Sequence, residues 1–222
     1  MVGDMLLKFF AISFAVSVLN DLIWITQPSY EAFVLLDWII RLGLIGLLGS
    51  SPEVRLVGEQ RTVTGCGFTY RVKLNHFFKH ILLPTFALIL IIGAMNKYSA
   101  EYPTFRLFIY PEPTSLGLHL ADMSFGLFLV AVSETLSFVV LPLLIQRKTG
   151  WPLPWVICGA CITFGLAHWA LGLIQILFTS ASHLIIFWVA FRTRSFGSVM
   201  LVHFLVDFHH LGVLPLLHAD MG

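Results

Sequence analysis

The sequence has 222 residues, of which 58% are hydrophobic and 11% are charged, with a formal net charge of +1. Soluble domains carry about 25% charged residues, so this composition excludes an ordinary soluble enzyme and predicts a polytopic membrane protein. No basic block is rich enough to suggest a nucleic-acid partner, and the lipid bilayer is the expected surroundings.

Apolar runs separated by polar or Pro/Gly-containing breaks predict about seven transmembrane helices. They lie at 5–26, 31–49, 80–95, 116–145, 152–172, 175–191 and 197–217. A helix needs about 20 apolar residues to cross the hydrocarbon core. We therefore expect an all-α fold in which residues 1–222 form a single membrane domain, a transmembrane helical bundle.

Basic residues alternate between the connecting segments. Lys and Arg are in excess in 50–79, 146–151 and 192–196, whereas 27–30 and 173–174 contain none and 96–115 balances two basic residues with two acidic ones. Basic loops stay on the cytoplasmic side of a membrane. We therefore expect an integral protein of the cell membrane with a cytoplasmic N-terminus and a C-terminus outside.

Several common enzyme signatures are missing from the sequence. It has no HExxH zinc helix, no GxSxG nucleophile elbow and no Gly-rich phosphate loop. Cys158 and Cys161 form a CxxC, but they lie on a predicted membrane helix and not after a strand. Close packing of small residues between helices explains them better than redox chemistry.

Four ionisable residues lie inside the predicted spans: Glu134, His168, His203 and Asp207. An acid at the centre of a membrane helix costs about 2.5–3.5 kcal/mol on insertion scales, so such residues usually face the bundle interior and pair with one another. His203 and Asp207 are one helical turn apart and share a face. Together the four predict a functional polar site.

Three kinds of chemistry suit these residues. A Glu and a His can activate a water molecule for attack on a carbonyl group, while the second His and Asp207 stabilise the oxyanion. A divalent metal could instead bind to Glu134, His168 and His203. The same residues could relay protons in a transporter. Residue types alone leave these alternatives open.

Two complete motifs carry a family resemblance. FxxxH is present from Phe164 to His168, and HxxxD from His203 to Asp207. Their order and spacing after a membrane glutamate resemble the CPBP/Abi family of intramembrane proteases, which includes the type II CAAX prenyl endopeptidases. In that family EExxxR, FxxxH and HxxxN or HxxxD each occupy a separate membrane helix.

The first motif of that family is only partly present. Glu134 matches its first glutamate, while Thr135 and Val139 replace the second glutamate and the arginine. In an alternative register Ser133 is first and Glu134 second. We prefer the former because Phe138 then matches an aromatic residue that often precedes the arginine.

The resemblance implies a catalytic core at about residues 120–210 and a glutamic intramembrane endopeptidase acting on a membrane-anchored protein or peptide. The first hundred residues are expected to form plain membrane helices. Glu134 with His168 would activate water, and His203 with Asp207 would support the oxyanion. The resemblance makes no cofactor certain, and a divalent metal is an open alternative. The degenerate first motif also leaves open an inert family member that binds a membrane partner, and a prenylated substrate does not follow.

Overall fold

The computed structural model describes residues 2–26, 29–58, 68–72, 76–101, 113 and 115–213. Within these residues the chain forms eight helices, some of them extended by a π turn. They are α1 (Val2–Thr26), α2 (Tyr30–Gly49), α3 (Pro52–Gly58), α4 (Leu83–Glu101, preceded by a π turn at Phe77–Leu82), α5 (Leu116–Thr149), α6 (Leu153–Leu166), α7 (Leu173–Thr193) and α8 (Phe196–Asp207, followed by a π turn at Phe208–Val213). The prediction of an all-α helical bundle is confirmed.

Among the helices that the structure describes, five are long and apolar enough to cross a membrane. They are Gly3–Ile23, Tyr30–Gly49, Phe77–Met95, Leu116–Thr149 and Leu173–Thr193. Large apolar side chains such as Ile39 and Leu90 point outward from them, as a lipid environment requires. α6 has only 14 residues, or about 21 Å at 1.5 Å per residue, so the count of seven crossings stays a prediction.

The helix predicted at 152–172 is shorter than expected, and that prediction is wrong at its C-terminal end. α6 ends at Leu166, and a single 3-10 turn follows at Trp169–Leu171. Gly172 then has φ 95°, a conformation that favours glycine, before α7 begins. The sequence stays apolar across this break, so hydropathy alone cannot reveal it.

The connection between α3 and α4 meets the connection between α7 and α8, and α3 itself, at one end of the bundle. Thr69 and Ser195 form an isolated parallel bridge there. The Tyr70 hydroxyl donates a hydrogen bond to the Val54 carbonyl oxygen at 3.0 Å, and burial raises the pKa of Tyr70. Exposed basic side chains in α3, in the segment before α4 and around the α7–α8 connection are Arg55, Arg71, Lys79, Arg192 and Arg194. Arg147 and Lys148 are exposed in the last turn of α5. Which side of the membrane this end faces stays a prediction.

Two helix pairings position the polar interior. α2 runs in the same direction as the first half of α5, and Trp38 on α2 contacts Phe125 on α5 with ring centroids 5.1 Å apart. α6 and α7 form a tight helical hairpin. A Cβ atom on Gly165 would overlap the carbonyl oxygen of Ile176 and the side chain of Ser180, so the two backbones approach closely.

Candidate active site

A cavity of about 620 Å³ lies inside the bundle. All four ionisable residues predicted as site residues line it: Glu134, His168, His203 and Asp207. They come from α5, from the turn after α6 and from α8. The structure therefore brings together side chains that are far apart in the sequence.

The imidazole ring of His203 contacts the carboxylates of both Glu134 and Asp207. Nε2 of His203 lies 3.3 Å from Oε2 of Glu134 and 3.6 Å from Oδ2 of Asp207. All three side chains are mostly buried. A single imidazole N–H therefore lies between two carboxylates, one on α5 and one a helical turn further along α8.

His168 lines the same cavity but makes its hydrogen bond elsewhere. Its Nδ1 lies 2.8 Å from the carbonyl oxygen of Phe164. A carbonyl oxygen can only accept, so Nδ1 donates, and Nε2 of the neutral ring keeps a lone pair. His168 can therefore accept a proton at Nε2 without breaking the bond that holds its ring.

The turn that carries His168 is fixed by α1. Oδ2 of Asp21 accepts a hydrogen bond from the backbone N–H of Ala170 at 3.1 Å. The indole N–H of Trp169 donates to the carbonyl oxygen of Val18 at 3.2 Å. These contacts satisfy donors next to the break between α6 and α7, and Asp21 also lines the cavity.

Arg41 on α2 is a site residue that the sequence analysis missed. Its Nη1 donates to Oε1 of Glu134 at 3.2 Å and to Oγ of Ser133 at 3.1 Å. Its Nε lies 3.0 and 2.9 Å from the two carboxylate oxygens of Asp37. Nδ2 of Asn20 on α1 donates to Oδ1 of Asp37 at 2.8 Å, so the network crosses from α1 to α5.

A sequence signal for this network exists. Asp37 and Arg41 are four residues apart within a predicted apolar span, a spacing that puts opposite charges on one helix face. Charged residues inside a membrane span indicate a candidate functional site. The expectation that the first hundred residues form plain membrane helices is therefore wrong.

Residues 115–209 match the family model described as Type II CAAX prenyl endopeptidase Rce1-like. The predicted resemblance to the CPBP/Abi family is thereby confirmed. The matched segment contains all four predicted site residues but leaves out α1 and α2, which contribute Asn20, Asp37 and Arg41. No curated protein and no solved structure matches the chain. The Rce1-like match points to an intramembrane endopeptidase.

The degenerate first motif of this Rce1-like segment can now be placed in space. Ser133 and Thr135 are fully buried on either side of Glu134. Val139, at the position of the family arginine, is fully buried in the apolar core. In space, the guanidinium next to Glu134 comes from Arg41 on another helix.

The aromatic residue of the FxxxH motif is the centre of a ring cluster. Phe164 stacks on His183 of α7 with centroids 4.1 Å apart and an interplanar angle of 23°. It contacts His168 and His203 edge-on at 4.8 and 5.9 Å. Nε2 of the fully buried His183 lies 3.1 Å from the carbonyl oxygen of Phe138. His183 is a further cavity residue that the sequence analysis did not identify.

The alternative of a metal site can be compared with this geometry. Among the residues that the structure describes, no group of three or more His, Cys, Asp or Glu side chains is arranged to hold a metal ion. Glu134 and His203 face each other, while His168 is bonded to its own helix. Glu134, His168 and His203 therefore do not form a ready ligand set, and whether the protein needs a metal stays untested.

Proposed function

We propose that this protein is a glutamate-dependent intramembrane endopeptidase that hydrolyses a peptide bond of a membrane-associated protein. The observation that carries the proposal is the ion-paired Glu134 in a cavity that is also lined by His168 and His203. A carboxylate inside a membrane helix costs free energy even when neighbouring groups contact both of its oxygens, and catalysis gives a reason for keeping it.

The proposed hydrolysis is described by the proton transfers between water, Glu134 and the leaving amine. A water molecule in the cavity would give a proton to Glu134 as its oxygen attacks the substrate carbonyl carbon, with the lone pair on Nε2 of His168 orienting that water. Glu134 would then return the proton to the leaving amine. The peptide C–N bond breaks, and a new C–O bond forms.

His203 and Asp207 would support the oxyanion. The Nε2 proton of His203 lies between two carboxylates in the resting site. When Glu134 takes a proton from water, its attraction for that N–H falls, and the N–H can donate to the substrate oxygen. Asp207 keeps the ring oriented and balances positive charge on it.

The cavity residues come from seven of the eight described helices. We therefore propose that residues 1–222 act as one membrane domain with a catalytic core at about 120–210. We also propose a cytoplasmic N-terminus and a C-terminus outside. The substrate would be a membrane-anchored protein or peptide that reaches the cavity from the bilayer.

The test is hydrolysis by purified protein in nanodiscs, with a panel of membrane-anchored peptides and with products identified by mass spectrometry. We expect wild type to cleave and Glu134→Gln and His168→Phe to lose cleavage by roughly 10²–10⁴-fold. The control is Glu53→Gln, which alters a carboxylate bonded to Ser51 outside the cavity. Full activity of Glu134→Gln would refute the assignment.

Two further arms separate the alternatives. A chelator that abolishes cleavage would show that a metal takes part, which this proposal does not require. Proton or solute flux that depends on Glu134, without cleavage, would instead identify a transporter. Binding of a membrane partner that survives Glu134→Gln, again without cleavage, would indicate an inert family member.

A further inference from the structure

We infer that Arg41 is a positioning residue that keeps the Glu134 carboxylate ionised and correctly oriented for hydrolysis. This inference rests on the proposed function. It assigns a role to α2, which lies outside the segment matched by the family model.

The side chain of Arg41 is fixed by residues other than Glu134. Its Nε bonds to both carboxylate oxygens of Asp37, one turn earlier on α2. Asp37 is itself held by the amide of Asn20 on α1. A planar guanidinium held at Nε has fewer orientations open to its other N–H groups, and here Nη1 points to Ser133 and Glu134.

Each carboxylate oxygen of Glu134 contacts a side chain from a different helix. Oε1 contacts Nη1 of Arg41 at 3.2 Å, and Oε2 contacts Nε2 of His203 at 3.3 Å. Two directed contacts on opposite oxygens fix the plane of the carboxylate. A misplacement of about 1 Å can lower a rate by roughly 100-fold, so losing one contact is enough to impair the reaction.

The charge of Arg41 matters as much as its geometry. The side chains of Arg41 and Glu134 are each only 12% exposed. An ionised carboxylate at such a position needs a nearby cation because water does not screen it. Asp21, Asp37 and Asp207 also line the cavity, and their negative charge opposes ionisation of Glu134.

A purely structural role is the competing explanation, since Arg41 also joins α2 to α5. Trp38 provides a matched control on the same helix pair. Its indole N–H donates to Oδ1 of Asp122 at 3.0 Å, so Trp38→Phe removes one α2–α5 hydrogen bond at a distance from Glu134. If Arg41 only joined the helices, the two variants would behave alike.

The experiment compares wild type with Arg41→Gln, Arg41→Lys and Trp38→Phe in nanodiscs. We expect Arg41→Gln to lower kcat by roughly 100-fold with KM changed less than threefold, and Arg41→Lys to recover at least a tenth of wild-type kcat. Trp38→Phe should keep wild-type kcat. Equal loss of kcat in Arg41→Gln and Trp38→Phe, or no recovery with lysine, would overturn the inference.

A second measurement does not depend on activity. Infrared difference spectra against Glu134→Gln isolate the signal of this one carboxyl group, with the double variant Arg41→Gln/Glu134→Gln as reference for Arg41→Gln. We expect a carboxylate band in wild type and a protonated carboxylic acid band in Arg41→Gln. An unchanged carboxylate band would overturn the inference. If wild type cleaves no peptide, the proposed function fails, and the spectra still decide whether Arg41 keeps Glu134 ionised.

Discussion

Glu134 on α5 and His203 on α8 contact each other directly, with Oε2 of Glu134 3.3 Å from Nε2 of His203. The contact joins the partial first motif to the HxxxD motif. Because Nε2 carries the proton that faces Glu134, the ring of His203 has one defined orientation in the resting site. Asp207, one turn later, lies 3.6 Å from the same nitrogen.

We predict different losses for the two residues of this motif. His203→Phe removes the N–H that faces Glu134 and should lower kcat by roughly 10²–10⁴-fold. Asp207→Asn removes only a charge 3.6 Å from the ring nitrogen and should lower kcat about 10-fold, which corresponds to about 1.4 kcal/mol of transition-state stabilisation. Steady-state hydrolysis in nanodiscs measures both.

The control for this pair is His119→Phe, which changes a buried histidine that does not line the cavity. It should keep wild-type kcat in the molecules that fold. A larger loss for Asp207→Asn than for His203→Phe would contradict the primary role of the His203 N–H and the supporting role of Asp207.

We predict that Asp21 positions His168 through the backbone. Asp21→Ala leaves the N–H of Ala170 without its acceptor, and this should lower the free energy of unfolding by about 1–3 kcal/mol. Because Ala170 is two residues from His168, kcat should fall as well, by about 10-fold. Asp21→Asn keeps an acceptor oxygen at the same place and should recover most of both losses.

Denaturation in detergent and hydrolysis in nanodiscs test this prediction together. Wild-type kcat in Asp21→Ala would show that the turn after α6 keeps its shape without α1. Equal losses in Asp21→Ala and Asp21→Asn would show that the charge of Asp21 matters more than its hydrogen bond.

The all-α fold was predictable because long apolar runs in the sequence reflect the main physical constraint on a membrane protein, the lipid environment. A helix in lipid satisfies its own backbone groups and must be apolar on the outside. The same reasoning selects Glu134, His168, His203 and Asp207, and the structure places all four around one cavity. Their catalytic roles stay predictions.

Arg41 was not predictable from the motif because its partner is distant in the sequence. The motif places an arginine near the glutamate on one helix, and the chain has Val139 there. In the structure the guanidinium comes from α2 instead. Local spacing says nothing about which separate helices pack together, so only the folded structure links Arg41 to Glu134.

The break after Leu166 escapes prediction for a different reason. An apolar window cannot distinguish a continuous helix from a helix, a turn and a second helix with equally apolar residues. The signal in the sequence is Gly172, whose positive φ ends the turn. The polar partner that stabilises the break, Asp21, lies on α1, far away in the sequence.

We predict that Phe164 supports His168 through ring contacts. Phe164→Leu keeps an apolar side chain but removes the stack on His183 and the edge contact with His168. Aromatic pairs contribute about 0.5–1.5 kcal/mol each, so the free energy of unfolding should fall by about 1–3 kcal/mol. The matched control, Phe128→Leu on the exposed face of α5, should change it by less than about 0.5 kcal/mol.

Peptide hydrolysis by these two variants tests whether Phe164 also affects catalysis. Phe164→Leu should lower kcat because the imidazole ring of His168 loses its edge contact with the Phe164 ring. Phe128→Leu should keep wild-type kcat. A Phe164→Leu protein that is destabilised but fully active would restrict Phe164 to a packing role.

Two glycines on α6 give a final prediction that separates close packing from helix propensity. A Cβ on Gly165 would overlap the carbonyl oxygen of Ile176 and the side chain of Ser180, whereas a Cβ on Gly159 meets no atom within 4 Å. Gly165→Ala should therefore cost about 1–3 kcal/mol of unfolding free energy through overpacking. Gly159→Ala should be neutral or stabilising by up to about 1 kcal/mol, because alanine favours a helix over glycine.

The double variant Gly165→Ala/Ser180→Ala shows which contact dominates. Removing the Ser180 hydroxyl relieves only part of the overlap, because the carbonyl oxygen of Ile176 belongs to the backbone of α7 and cannot move independently. We therefore expect little recovery of stability. Gly165 precedes His168 by less than one helical turn, so separating α6 from α7 should also lower kcat. Equal unfolding midpoints and equal kcat for Gly165→Ala and Gly159→Ala would contradict the close contact between these helices.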